Sequence, residues 1–315
     1  MQNMWRVQIA LLTAVTMTAA AFAADTGSVK GTVVDSSGKG LRGALVSAVD
    51  EDAEKSITVL TDPEGRFILD QLPPSLYRIR ARLVGFEDTY SDELEIESGE
   101  GNEDVKLAME PTDDLLSQRT GASLFGELEF DNEEHRMAFK MSCTYCHQVG
   151  SAGFRTPEEP VDWQVMITRM DGFGALPKDL QKTIVKKLVD TYAEDAPKKW
   201  DAWTPPEPPK GKALAMRAVE WDMGSRRPSM THDLELGKNG LVYAVDMAND
   251  ALVSLDPETN ERRVYKMPGG KEPFSDDPMV LGPHSLECDA EGDIWITCAI
   301  GGKMAKFDVD TEEWT

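Results

Sequence analysis

His232-Asp233-Leu234-Glu235-Leu236, Asn239-Gly240-Leu241-Val242-Tyr243 and Leu252-Val253-Ser254-Leu255-Asp256 return 52 residues later as His284-Ser285-Leu286-Glu287-Cys288, Glu291-Gly292-Asp293-Ile294-Trp295 and Met304-Ala305-Lys306-Phe307-Asp308. Runs of about five residues, rich in β-branched and aromatic side chains and separated by Asn-Gly or Glu-Gly turns, read as short strands. Between the units, Arg263-Val264-Tyr265-Lys266-Met267-Pro268 matches Ala218-Val219-Glu220-Trp221-Asp222-Met223, which precedes the first unit. Each unit is therefore expected to be four strands, the sequence form of a β-propeller blade. Propellers close with about four to eight blades, whereas this stretch holds one unit and most of a second. The expectation is a fragment of a longer protein.

Upstream, residues 197–212 are rich in proline and predict an extended, semi-rigid spacer. Before it stands Cys143-Thr144-Tyr145-Cys146-His147. Two cysteines at this spacing followed by His read as a c-type haem attachment site: both thiols add to the haem vinyl groups, and the next residue places an imidazole under the iron. Cys143 and Cys146 are the expected covalent attachment points of one haem, and His147 the proximal iron ligand. A zinc site would need two further ligands at fixed spacing, and the remaining cysteines, Cys288 and Cys298, lie far downstream. A thioredoxin-like redox pair would need a βαβ setting, which the flanking sequence lacks.

The surroundings of the motif have helical periodicity. Asp131 or Asn132 can cap a helix through His135, Met137, Ala138 and Met141 into Cys143. Trp163, Met166, Ile167 and Met170 fall on one helical face ahead of Gly172 and Gly174, with Asp162 as the expected cap. A third helix is expected from Pro177 to Ala193, with Leu180, Ile184, Leu188 and Tyr192 on one face. Three short helices around a haem make a small all-α domain resembling cytochrome c, in which the haem supplies much of the core. Met170, just before the glycine turn, is the candidate distal iron ligand, with Met166, His135 and an open site as alternatives.

Residues from about 27 to 110 alternate as strands, with turn signals at Ser36-Ser37-Gly38 and Pro63-Glu64-Gly65. The ordered set Gly31-x-Val33, Gly38-x-Gly40, Gly43-Ala44-x-Val46, Thr61-Asp62-x-x-Gly65-x-Phe67, Leu72-Pro73, Tyr77-x-Ile79 and Gly85-Phe86 resembles the carboxypeptidase regulatory-like domain. That resemblance implies a transthyretin-like seven-stranded all-β sandwich, related in fold to carbohydrate-binding modules, that docks rather than catalyses. In the repeat, Gly282-Pro283-His284-x-Leu286 and Asp289-x-Glu291-Gly292-x-Ile294-Trp295 resemble the virginiamycin B (streptogramin) lyase propellers. There the resemblance implies a channel histidine acting in elimination with a divalent metal. No catalytic residue is assigned: His232 and His284 are the candidates, but hydrogen bonding between neighbouring strands is the favoured reading for both.

Arg6, the apolar run Val7–Met17 and the small residues ending Ala21-Phe22-Ala23 read as a secretory signal, so residues 1–23 are expected to be removed and the protein to be exported, periplasmic or secreted. No later segment is long enough to span a bilayer. With 56 acidic against 33 basic residues and a net charge of -23, the surface repels nucleic acid and favours a redox partner with a basic docking face. The sequence thus predicts a multidomain chain: signal 1–23, sandwich 24–112, haem domain 113–196, linker 197–212 and incomplete propeller 213–315.

Overall fold

The computed structural model describes residues 26–99, 101–144, 160–170, 176–192, 203–223 and 229–315. The signal segment 1–23 lies outside them. Seven strands fill the first part: β1 (Gly27–Asp35), β2 (Leu45–Asp50), β3 (Lys55–Leu60), β4 (Arg66–Leu72), β5 (Ser75–Arg82), β6 (Thr89–Ile96) and β7 (Gly101–Met109). They form two sheets, ordered β4-β1-β7 and β6-β5-β2-β3. The inward residues of both sheets, among them Val29, Val33, Val46, Phe67, Leu69, Ile79 and Leu107, make one apolar core. Each such side chain contributes about 1.5–3 kcal/mol through removal from water.

Two of the signature residues have plain physical reasons. Gly31 lets β7 approach β1, because a Cβ there would stand 2.0 Å from the Val105 carbonyl oxygen. Gly65 has φ +82 in a turn that Asp62 organises by accepting from the N–H groups of Glu64 and Arg66 at 2.9 and 2.8 Å. Thr61 ties the start of β2 in place, donating its hydroxyl to the Leu41 carbonyl and accepting from the Ala44 N–H.

The helical part holds α1 (Gly121–Phe125), α2 (Glu133–Cys143), α3 (Pro160–Met170) and α4 (Lys178–Tyr192). Asn132, not Asp131, caps α2, its Oδ1 accepting from the His135 N–H at 2.8 Å. The helix α3 starts at Pro160, so Asp162 lies inside it rather than at its cap. Gly172, Gly174 and Ala193 lie outside the described residues. Phe139, Trp163, Ile167, Ile184, Leu188 and Tyr192 bury their side chains in a shared cluster, which draws on the predicted faces of α3 and α4; on α2 it is Phe139 that is buried, while Met137 and Met141 are exposed.

After the linker, β8 (Arg217–Trp221) departs from expectation. Its sequence matches the outer strand of a repeat unit, yet it pairs antiparallel with β3 and makes the second sheet β6-β5-β2-β3-β8. The exposed edge of β3 explains this: its unpaired backbone groups are satisfied by β8, Val219 packs on the sandwich core, and Lys55 lies 5.1 Å from the Trp221 ring.

The two repeat units form separate antiparallel sheets. The first is β12-β11-β10-β9, made of β9 (Thr231–Leu236), β10 (Val242–Asp246), β11 (Ala251–Leu255) and β12 (Arg262–Lys266). The second is β13-β14-β15-β16, made of β13 (Pro283–Cys288), β14 (Ile294–Cys298), β15 (Lys303–Asp308) and β16 (Glu313–Trp314). Neither sheet closes on itself. They share a core of Tyr243, Val245, Leu252, Met267, Ile294, Ile296 and Phe307.

Candidate functional site

Cys143 sits in the last turn of α2, half-buried against the helical cluster, four residues from the buried Phe139 on the same helix face. Phe139 stacks on Phe125 at 5.9 Å and packs against Phe130 at 5.4 Å between ring centroids. Tyr192 closes the far side by donating its hydroxyl to the Leu124 carbonyl at 3.0 Å. This apolar setting pushes the Cys143 thiol up to about 11. A thiol so shifted is a poor nucleophile near neutrality, unlike the lowered thiols of redox-active Cys-x-x-Cys pairs. Cys146 and His147 lie outside the described residues.

Of the distal candidates, Met170 ends α3 at 37 % exposure and Met166 is half-buried. Trp163 and Ile167, on the same face, are committed to the core. His135 stands in the first turn of α2, eight residues before Cys143, or about 12 Å along the axis at the α-helical rise. Two buried nitrogens in this region, Trp163 Nε1 and His135 Nδ1, have no hydrogen-bond partner among the described residues; His135 Nδ1 lies 3.7 Å from Asp131 Oδ2.

The other candidate pair meets across the two repeat sheets. His232 on β9 and His284 on β13 meet with ring centroids 3.7 Å apart and their planes tilted by 38°, and His232 Nδ1 lies 2.8 Å from the His284 carbonyl oxygen. A carbonyl only accepts, so this nitrogen carries a proton. Burial and the neighbouring His232 hold the His284 imidazole below its ordinary value, against the pull of Asp233. No cluster of three or more metal-ligating side chains occurs among the described residues. Cys288 and Cys298 are free: Cys288 pairs with Ile294 and Cys298 with Pro283, opposite ends of one hairpin.

One node escaped the reading of the sequence. Asp250, in the left-handed region at φ 47, accepts from the backbone N–H groups of Lys271, Val280, Leu281 and Gly282 at 2.7–3.1 Å. Its neighbours Asp246 and Asn249 pin Met230, Ala248 and Phe274 in the same way. The only available signal was the run Asp246-Met247-Ala248-Asn249-Asp250, which the second unit does not repeat.

The sandwich, with its glycine-dependent close approach and Asp62 turn, has a counterpart in known families. Residues 28–110 match the carboxypeptidase regulatory-like domain. No curated protein matches the chain. Solved structures similar to parts of it include the Bacillus anthracis TIE protein, at 22% identity over 28% of this chain and 17% of that one, TM-score 0.24. Virginiamycin B lyase from Staphylococcus aureus shows 16% identity over 32% of this chain and 30% of that one, TM-score 0.25. A minor pilin of Streptococcus agalactiae shows 15% identity over 28% of this chain and 45% of that one, TM-score 0.24. The chain spans less than two thirds of the length of each.

The carboxypeptidase regulatory-like domain is the anchor of the neighbouring segments. Gln118, just before α1, accepts from the Gly85 N–H at 2.8 Å and donates to the Phe86 carbonyl at 2.7 Å. Pro208 and Pro209 of the linker pack so close to Gly43 that a Cβ there would meet them at 3.0 Å. The region between β7 and β8 thus leaves the domain and returns to it.

Proposed function

We propose that the chain is an exported c-type haem protein for electron transfer, its haem domain coupled to a β-propeller that binds a partner or substrate. The observation that carries this reading is the Cys143-x-x-Cys146-His147 sequence, which begins at the last residue of α2. Cys143 and Cys146 would hold the haem through thioethers and His147 would ligate its iron from the proximal side. The residues present fit such a group: the Cys143 thiol is free and set against an apolar cluster, and the indole N–H of Trp163 is buried in that cluster without an acceptor. Haem, when bound, supplies a one-electron carrier whose potential its axial ligands set. The acidic surface suits a basic redox partner.

The test is expression in a host with cytochrome c maturation, followed by absorption spectroscopy and intact mass. The expected result is a mass increase of one haem that a Cys143→Ala, Cys146→Ala double variant lacks. A colourless protein of apo mass overturns the reading.

The juxtaposed His232 and His284 favour a second reading, elimination in the propeller channel with a divalent metal, as in the streptogramin lyases. Incubation of the protein and divalent metal with cyclic lactones tests it. Ring opening that His232→Ala abolishes supports this reading, and intact lactone rules it out.

A further inference from the structure

Two arginines of the sandwich are left without partners in a chain that has acidic residues in large excess. Arg42 and Arg82 are each half-buried, and in both the Nε–H is closed off from solvent with no acceptor. Neither forms an ion pair among the described residues. The arginines beside them on β5 are engaged: Arg80 pairs with Asp88 and lies over Tyr90, and Arg78 stacks on the same ring at 5.1 Å. Burying a guanidinium N–H without an acceptor is costly, more so than for a neutral donor. A chain with 56 carboxylates has ample means of avoiding that cost.

The positions share one end of the fold. Arg82 closes β5 opposite Leu45, the first residue of β2, and Arg42 stands three residues before Leu45. This is also the end at which Gln118 clasps Gly85 and Phe86 and the linker prolines cover Gly43. Sandwich, the segment leading into α1 and the linker therefore meet close to the backbone positions of Arg42 and Arg82.

We propose that Arg42 and Arg82 form a binding site for a phosphate-type dianion at this seam. Two guanidinium groups match two negative charges, and donors arriving from separate segments suit the divergent oxygens of a tetrahedral anion better than the planar pair of a carboxylate. By bridging Arg42 and Arg82 beneath the linker, the anion would fasten the haem-bearing segment to the sandwich. Ligand binding to the folded state alone raises its apparent stability.

The experiment is thermal unfolding of the full chain in inorganic phosphate, with sodium chloride and acetate at matched ionic strength as controls. The expected result is a rise of a few degrees specific to phosphate, lost in Arg42→Gln and in Arg82→Gln and partly restored by Arg82→Lys. No rise over chloride overturns the proposal even if the variants fail to fold. An equal rise in acetate, or a rise that persists in both glutamine variants, overturns it as well. None of these readings depends on whether haem is attached.

Discussion

His232 packs against His284 across the seam between the two repeat sheets, with 3.7 Å between ring centroids and His232 Nδ1 2.8 Å from the His284 carbonyl oxygen. The contact disfavours a charged His284 ring, which burial and the neighbouring His232 both oppose. His284 has its value lowered, first by burial and then by His232, so the folded state favours the unprotonated form. Stability from this group is complete above the ordinary value of 6.5 and is lost as pH falls through it toward the folded value. Thermal unfolding between pH 8 and pH 5 is expected to show a fall in the midpoint, and His284→Gln is expected to flatten it. An equal fall in the variant would place the acid sensitivity elsewhere.

Arg262 is the tie between the first repeat sheet and the sandwich. Its guanidinium donates to the carbonyls of Ala53, Glu54 and Asp222 at 3.0–3.2 Å, and the side chain is 11 % exposed. Nearby, Trp221 Nε1 donates to Asn260 Oδ1 at 2.9 Å. Arg262→Ala is expected to cost about 2–4 kcal/mol, because it leaves several carbonyls unmatched at once. Arg262→Lys should recover little, since one ammonium cannot serve three separate acceptors. Denaturant unfolding, together with protease sensitivity of the turn at residues 50–55, measures both effects.

Asp250 organises the loop between the sheets through its carboxylate. Burial pushes its carboxyl up, but hydrogen bonds from four backbone N–H groups outweigh that and hold it below the usual carboxylate value. A depressed carboxyl contributes stability that is present above 3.8 and disappears as pH falls below it. Asp250→Ala is expected to cost about 3 kcal/mol or more at neutral pH, by leaving buried N–H groups without an acceptor. The difference from wild type should narrow in acid. A substitution cost that stays the same from pH 7 to pH 3 would contradict this account.

Met170 gives the distal-ligand expectation a spectroscopic test. Its side chain is free of the core that Trp163 and Ile167 help build. In holoprotein, Met170→Ala is expected to remove the near-infrared thioether-to-iron band and lower the potential. An unchanged spectrum would move the ligand elsewhere.

Much of the architecture was legible because it rests on local periodicity. The apolar alternation of Val29, Val33, Val46 and Ala48 announced a sandwich, and the helical spacing of Trp163 and Ile167 announced a buried face. The 52-residue repeat announced four-stranded units, and both appear as such. What spacing could not supply were relationships between segments distant along the chain. Arg217-Ala218-Val219-Glu220-Trp221 has the pattern of an outer strand for any sheet, and it is the open edge of β3 that receives it. Asp250 carries no motif, and its role follows from a left-handed backbone that aims one carboxylate at the loop from Lys271 to Gly282.

The sequence by itself determined the chemistry on offer: Cys143, Cys146 and His147 in haem-attachment order, a carboxypeptidase regulatory-like pattern over residues 28–110, and a paired set of histidines one repeat apart. Only the tertiary structure decided that His232 and His284 touch, that Cys288 and Cys298 do not, and that Arg42 and Arg82 close the same end of the sandwich without a carboxylate to meet them. Periodicity is a property of neighbours along the chain, fixed by how each backbone directs successive side chains. Contact between distant residues depends instead on which sheet edges pair and which faces are buried, and that is settled by the free energy of the whole fold.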